Sequence, residues 1–415
     1  MDQWNKPIHI SKGLSTLIVF FVCLYTFSPL LGDYGQYMYG LMYRVFPEKV
    51  TPESIKTVYK NRPISILVVP GHDNEYSGTE YKGVRESDVT LETAKYLYNF
   101  LKYNPKFTTF TTRDFRTGEY GTVFQNYFKE NRDSIEQYMS QHADTMQRFE
   151  ELGLVEDKST DNHISAKSEV RLRLYGINKW ANENNIDIVL HIHYNDYPGR
   201  GSRPGKYSGF SIYVPEEQLP NSRVSLDIAK SVESELVTLI PKSDLPMEED
   251  TVIETQELIA VGSNATRDSA SLLIEYSYIY EPQLASLNTR ALIFQELAYK
   301  TYRGIISYFD KYTGDVLPKT SLLPYDFKND IDKVSKPDPD VLRMQTALVY
   351  DGLYPPAGKS FSDCPVTGIY GNCTTTSVKA FQEKYADAVL APFGYKYGTG
   401  LVGEKTLEKL NELVR

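Results

Sequence analysis

Cysteine is scarce in this chain. Three in 415 residues are too few for a disulfide-held scaffold and match no four-ligand zinc finger, so any metal site has to be built from histidine and carboxylates. Basic residues are also in deficit: 45 Lys and Arg stand against 54 Asp and Glu, for a net charge of -9 and a pI near 5.4. A protein that coats nucleic-acid phosphates needs the opposite balance, which excludes DNA and RNA as expected partners. The 26 Gly and 22 Pro are too few for a fibrous or low-complexity chain, and 41% hydrophobic with 24% charged residues is a globular composition, so disorder is excluded as the main theme. The length exceeds that of one ordinary domain, about 100 to 200 residues, and predicts at least two folding units. Tyrosine is the unusual excess, at 33.

Charge is missing altogether from one segment, residues 14–32 (LSTLIVFFVCLYTFSPLLG). At 1.5 Å per residue this stretch reaches across a hydrocarbon core of about 30 Å. No other uncharged apolar segment comes near that length, which argues against a buried core helix. Lys6 and Lys12 precede it and Asp33 is the first charge after it. The positive-inside rule therefore places residues 1–13 in the cytoplasm and everything after Gly32 outside. No small-x-small cleavage site is evident, and Val22 stands before Cys23 where a lipoprotein signal has a small residue. Both features favour an uncleaved signal anchor over a removed signal peptide. The expected location is the cell membrane, crossed once, with the rest of the chain extracytoplasmic.

Beyond a juxtamembrane spacer at 33–62, short apolar runs alternate with longer amphipathic ones. ISILVVP (64–70), FTTFTT (near 108–112), DIVLHIH (187–193), GFSIYV (209–214) and SLLIEYS (271–277) read as strands. Helical patterns run from about 89 to 101, 169 to 183, 222 to 239 and 282 to 312. Strands alternating with helices predict an α/β domain over 63–312, with a mostly parallel or mixed twisted sheet covered by helices on both faces. Residues 313–337 carry Pro318, Pro324 and Pro337 among polar residues, the composition of a linker. A second, small domain is expected over 338–415.

Ligands in open α/β sheets sit at the carboxyl ends of the strands. His72 follows ILVVPG, His193 closes DIVLHIH, Glu275 ends SLLIE, and Glu86 precedes the helix that begins near Val89. Two His and a carboxylate with one open position make a usual set for catalytic zinc. Taken singly, each has a structural reading: His72 as a turn residue, Glu86 as a charge favoured by the helix dipole, His193 as a satisfied core histidine. Together, VVPGHD with GVRESDVTL, then HIHYN, then LLIEYSYI resemble in order the signatures of the zinc-dependent N-acetylmuramoyl-L-alanine amidases of the third amidase family. Arg173 and Asn178 in RLYGIN and TTRD at 111–114 fit less specific positions of that family. The resemblance covers roughly 63–310. It implies that His72, Glu86 and His193 bind zinc, that Glu275 is the general base, and that the bond cut joins N-acetylmuramic acid to L-alanine in peptidoglycan.

Residues alone support a zinc hydrolase acting on an amide outside the cytoplasm. The competing readings are a zinc peptidase or carboxypeptidase on the stem peptide and a non-catalytic wall-binding protein that kept the fold. His191 replaces the family's usual Ser and shares a sheet face with His193 by alternation. His191, Asn195 and Arg173 are candidates for supporting or substrate-contacting roles, with a plain structural role for His191 equally open. YSYI follows Glu275 where the family has a Gly-Phe-like continuation. His9, His142 and His163 are not favoured as ligands. No protein activator can be named from the sequence.

In the last segment VLRMQTALVYDGLYP, TGIYG, TTTSVKAFQEKY and GTGLVGEKTLEKL resemble the three-helix peptidoglycan-binding domain of wall hydrolases. A ligand-free helical packing module is the alternative. Cys364 and Cys373, nine apart and placed outside the cytoplasm, are predicted to pair. Finally, residues 114–167 form an insertion in which Phe124, Phe128, Ile135, Tyr138, Met139, His142, Met146 and Phe149 recur every three or four positions, an amphipathic helical pattern. Two readings stay open: a lid over the site, or a helix that buries one flank of the domain.

Overall fold

The computed structural model describes residues 50–153, 155–156, 167–197, 199–262, 265–328, 331 and 333–414. The expected membrane segment at 14–32 lies outside them, and no helix among the described residues is long and apolar enough to cross a membrane. The chain divides into one unit of Met1–Glu48 with Thr145–Asp157 and a second of Lys49–Asp144 with Lys158–Arg415. In the first, the described part is the last turns of a helix and the residues just after it. The rest of this subsection concerns the second.

Its elements run α1 (Pro52–Asn61), β1 (Ile64–Pro70), β2 (Glu80–Tyr81), β3 (Val84–Arg85), α2 (Glu86–Lys102), β4 (Phe107–Thr111), α3 (Thr122–Glu130), α4 (Arg132–Glu151, which continues into the first unit), α5 (Ser168–Glu183), β5 (Ile188–Asn195), β6 (Ser211–Pro215), α6 (Ser222–Leu236), β7 (Val252–Thr255), β8 (Ala270–Tyr278), α7 (Leu287–Phe309) and α8 (Lys311–Val316). The C-terminal part adds α9 (Pro339–Tyr350), α10 (Asn372–Lys384), α11 (Ala386–Val389) and α12 (Glu404–Val414). Helix α1 falls inside the expected spacer, begun by a reciprocal capping pair of Thr51 and Ser54 and by Pro52 in its first turn.

Six strands form one sheet in the order β4-β1-β5-β8-β6-β7. The β4, β1, β5 and β8 strands are parallel, β6 runs antiparallel to β8, and β7 is parallel to β6. The sheet is therefore mixed. The alternating side chains of each strand split cleanly between its faces. Ile64, Ile66 and Val68 of β1, Ile188, Leu190 and Ile192 of β5, Leu272 and Ile274 of β8, and Ile212 and Val214 of β6 are all buried in one cluster. Helices α2, α6 and α7 pack together against that face. The opposite face holds a smaller cluster of Leu67, Val69 and Val189 with Phe124, Ile177 and Trp180.

The insertion supplies part of that second cover. A Cβ on Gly176 of α5 would come within 2.9 Å of the Phe128 ring and 3.1 Å of Ile135, so α3 and α4 approach α5 closely across this glycine. Phe124, Ile135 and His142 are buried, and the Tyr138 hydroxyl donates to the Ala265 carbonyl at 2.6 Å. The described part of the stripe in this unit buries a flank of the sheet domain.

The described residues of 313–337 are not a free tether where they follow α7. Arg303 of α7 donates to the carbonyls of Leu317 (2.7 Å) and Pro318 (2.8 Å), and Lys300 donates to Lys319 O (2.7 Å). Proline-rich composition does not distinguish a flexible tether from an irregular strap whose carbonyls are taken by a neighbouring helix, and here it is the strap. The C-terminal helices share the main core through Val341, Leu342, Leu348, Val378 and Phe381. Lys300 also reaches the Tyr350 hydroxyl of α9 at 2.8 Å. Asp338 caps α9 by accepting from Asp340 N and Val341 N. Cys364 and Cys373 form a disulfide.

Candidate active site

β1 and β5 run parallel with Pro70 opposite Ile192, so both chains leave the sheet at one rim. There the Gly71 N–H donates to Ile192 O at 2.8 Å, and a Cβ on Gly71 would come within 2.4 Å of the His193 ring. Only glycine admits that approach. The next residue, His72, turns sharply with φ 60°, a left-handed conformation uncommon outside glycine, and faces back over the rim. The loop then returns through the β2–β3 hairpin to Glu86, which is not ahead of α2 but its first residue.

Glu86 lies between the two histidines. Its Oε2 is 3.0 Å from His72 Nε2 and its Oε1 is 3.1 Å from His193 Nδ1, and one ligand atom from each of the three residues lies within 4.8 Å of the others. Backbone N–H groups of Thr79 (3.1 Å) and Tyr194 (3.3 Å) also donate to the carboxylate. Gly78, at φ 72°, leaves the space that a Cβ 2.4 Å from Glu86 Oε2 would take. Burial would raise the Glu86 pKa, but hydrogen bonds to His193 and His72 outweigh it and hold it well below the carboxylate range. Desolvation pulls the half-buried His72 downward, yet the neighbouring Glu86 carboxylate moves it upward overall, whereas desolvation lowers His193. An ionised carboxylate flanked by two imidazoles is a donor set that suits a divalent cation of the zinc type.

Glu275 stands beside His193 in the β5–β8 register and opposite Ser211 of β6. Its Oε2 is buried and has no hydrogen-bond partner among the described residues. Desolvation, with the nearby charges of Glu86 and Glu248, raises its pKa well above the carboxylate range. Two carboxylates at one rim are thus driven in opposite directions, the arrangement in which one binds as an anion and the other handles protons.

The remaining sequence candidates divide. Arg173 does not touch the cluster. It pairs with Asp73 and Glu75, both at 2.7 Å, and so braces the loop that carries His72. His191 is fully buried one turn of the pleat below His193, its Nε2 without a partner among the described residues, and burial together with His193 pushes its pKa down to about 3. It is neutral there. Asn195 donates from Nδ2 to Glu248 Oε1 at 2.9 Å and accepts from Asp196 N at 2.8 Å. Asn178 holds the Ile259 carbonyl at 2.9 Å. Arg113 of TTRD is buried and donates to Ser87 O at 3.0 Å, pinning the start of α2. A cavity of about 440 Å³ opens next to Asp73, lined by Tyr120, Phe128, Arg132, Glu169 and Arg173 among others.

Two residues escaped the sequence reading. Glu248 sits in the acidic run MEED with no periodicity to mark it, and Tyr213 lies inside a strand. The Tyr213 hydroxyl donates to the Glu248 carboxylate at 2.7 Å, and both groups lie close enough to Glu275 to interact with it electrostatically.

The family model of the N-acetylmuramoyl-L-alanine amidases matches residues 66–307. The chain belongs to this family. It is an amidase of peptidoglycan that hydrolyses the bond between N-acetylmuramic acid and L-alanine. No curated protein matches it. Solved structures similar to it include the N-acetylmuramoyl-L-alanine amidase of Clostridium difficile 630, 17% identical over 60% of this chain and 98% of that one, with a TM-score of 0.37. The CwlD amidase of Clostridioides difficile in complex with the GerS lipoprotein is 15% identical over 60% and 99%, with a TM-score of 0.40. The amidase Ami1 of Mycobacterium smegmatis is 14% identical over 60% and 98%, with a TM-score of 0.39. In this amidase the matched segment starts within β1 and ends within α7, so it contains all four carboxylate and histidine candidates of the rim.

Proposed function

We propose that this amidase is a zinc enzyme in which His72, Glu86 and His193 hold the metal and Glu275 is the general base and acid. The observation that carries the proposal is the pairing of the His72–Glu86–His193 cluster, built around a buried carboxylate, with the adjacent Glu275, whose buried Oε2 has no partner among the described residues. Zinc, when bound, polarises an amide carbonyl and acidifies water. The chain's own contribution is the proton path. Glu275 takes a proton from the attacking water and hands it to the departing nitrogen, without which an amine is a poor leaving group. Its unpartnered Oε2 leaves one oxygen available for that exchange, and its desolvated setting favours the protonated state needed for the second half.

The same reading places the enzyme outside the cytoplasm. Residues 14–32 act as an uncleaved membrane anchor, and residues 338–415 bind the peptidoglycan that the rim cuts. Because the strap and α9 are bonded to α7, the wall-binding part is held on the catalytic domain and is not a module on a flexible leash.

The test is mass spectrometry of purified cell wall treated with the fragment from about residue 50, which keeps α1, with metal content measured on the same sample. Stem peptides released with a free L-alanine amino terminus, and one zinc per chain lost in His72→Ala and His193→Ala, are expected. Cleavage further along the stem peptide, or full turnover without metal, would overturn the reading.

A further inference from the structure

Beside Glu275 lies a second buried carboxylate that the reaction as described leaves unused. Glu248 is 1% exposed. Its Oε1 accepts from two side chains on different strands: Asn195 Nδ2 of β5 at 2.9 Å and the Tyr213 hydroxyl of β6 at 2.7 Å. Its Oε2 is buried with no partner among the described residues, as is the Ser211 Oγ across from Glu275. β8, carrying Glu275, lies between β5 and β6 in the sheet, so Glu248 bridges over the strand that bears the base.

The bridge has a definite consequence for Asn195. Glu248 Oε1 is met by donors on both sides, the Tyr213 hydroxyl and the Asn195 amide, so the bridge holds Asn195 with its amide nitrogen toward Glu248. The other end is fixed as well, because Asn195 Oδ1 accepts from the backbone N–H of Asp196 at 2.8 Å. An amide nitrogen carries two hydrogens and Glu248 takes one. The second is left on a side chain two residues past His193, on the strand next to Glu275. Hydrogen-bond donors fixed in advance where an oxyanion develops are among the largest contributors to acyl-transfer catalysis.

We propose that Asn195 is a catalytic residue of this amidase, donating its second amide N–H to the carbonyl oxygen of the scissile bond, and that Glu248 is the positioning residue that holds it in that orientation. The assignment rests on the catalytic rim proposed above. Asn195 acts on the oxygen that gains charge while Glu275 moves the proton, so the two sit on different atoms of one transition state.

The experiment is a double-mutant cycle on the full chain purified in detergent, following release of L-alanine amino termini from cell wall at saturating substrate, with zinc content and melting temperature measured on every variant. Asn195→Ala should lower kcat by about 10²-fold, the usual cost of one such donor, with zinc content unchanged. Glu248→Ala should lower kcat by roughly tenfold, and the double variant should be no slower than Asn195→Ala, because Glu248 acts through a group already removed. Glu248→Gln keeps an accepting Oε1 and should recover most of the rate. Additive losses, or Glu248→Ala with wild-type kcat, would refute the positioning role. Should Glu248→Ala fail to fold, Asn195→Ala alone decides: wild-type kcat in that variant overturns the proposal. If the wild-type chain itself releases no L-alanine termini, it is the catalytic reading that has failed and not this assignment.

Discussion

The two faces of the six-stranded sheet are built from alternate residues of the same strands, yet they have little in common. On one face β1, β5, β6 and β8 present aliphatic side chains to α2, α6 and α7, joined only near the strand ends by tyrosines such as Tyr194 and Tyr276, whose hydroxyls are bonded to Thr93 of α2 and Thr301 of α7. On the other, the same strands read Val189, His191 and His193; Ser271, Leu273 and Glu275; Ser211 and Tyr213. Here the apolar cover shrinks to small clusters around Trp180 and Ala260. A two-residue period lets one strand serve stability on one side and chemistry on the other. Groups that are costly to bury, such as the unpartnered oxygens of Glu275 and Glu248 and the Nε2 of His191, collect on the chemical face. The large core behind them supplies the free energy that keeps them there.

The sharpest way to break the comparison is to change one residue on each face. Glu275→Gln should lower turnover by about 10²- to 10⁴-fold while leaving zinc content unchanged and the melting temperature the same or higher, since a buried carboxyl without a partner is replaced by a neutral amide. His72→Ala and His193→Ala should lose zinc along with activity. A Glu275→Gln enzyme with near-normal turnover would remove Glu275 from the mechanism.

Next in size are the apolar positions. Leu272→Ala, facing α6 and α7, should cost about 2–5 kcal/mol. Phe124→Ala, in the cover of the other face, should cost about 3–5 kcal/mol by the same transfer and cavity terms. Neither should raise turnover on intact wall. For Phe124 that point discriminates, because a lid loosened by the substitution would cut faster. Denaturant melts and turnover on the same two preparations settle it, and a faster, stable Phe124→Ala protein would return the insertion to a lid role.

Much of this architecture could be read from the chain. Strands ending in PGH and HIH, and a strand carrying Glu275, mark the rim because a run of aliphatics followed by a polar residue is what a buried parallel strand looks like where it emerges. The two histidines among the metal-ligand candidates converge for that reason. What could not be read has equally physical causes. Glu86 belongs to the first turn of α2 because the β2–β3 hairpin ends directly at it, and two-residue strands leave no periodic trace. Glu248 acquires its meaning from Asn195 and Tyr213, 53 and 35 residues away in sequence, and an acidic run looks like any solvated surface. The strap at 313–337 had the composition of a linker because irregular backbone uses the same residues whether its carbonyls meet water or Arg303. His191, alternating with His193, lies on the chemical face and is fully buried there.

The disulfide is a smaller test, and it lies in the C-terminal part, which has no chemical face. Cys364 and Cys373 close a loop of about ten residues. In the chain-entropy model this is worth up to ~3 kcal/mol. Cys364→Ser with Cys373→Ser should lower the melting temperature and leave zinc content unchanged, since neither residue is near the rim. Because the C-terminal helices share the main core, one cooperative transition shifted downward is expected; a separate early melt of the C-terminal part would show that the shared core does not couple the two.

The last test returns to the chemical face. His142 of α4 is buried between the rings of Tyr138 (4.6 Å between centroids) and Tyr175 (6.4 Å), and its Nδ1 has no partner among the described residues. Burial, with Arg267 nearby, pushes its pKa down to about 4, against about 6.5 in an unfolded chain. The sign follows from proton counting. Below about 6.5 the unfolded state binds a proton that the native state refuses, so acidification favours unfolding, and the loss grows until pH falls past about 4, where both states are protonated. Above 6.5 the residue contributes no pH dependence. Other groups of the chain titrate in the same range, so the informative quantity is the difference between wild type and His142→Phe, in which their contributions cancel. The stability of the variant relative to wild type should rise steadily as pH drops from 6.5 to 4 and stay level on either side. Parallel stability curves for the two proteins across that window would mean that His142 takes up its proton in the folded state as readily as in water, and that this flank of the sheet is open to solvent.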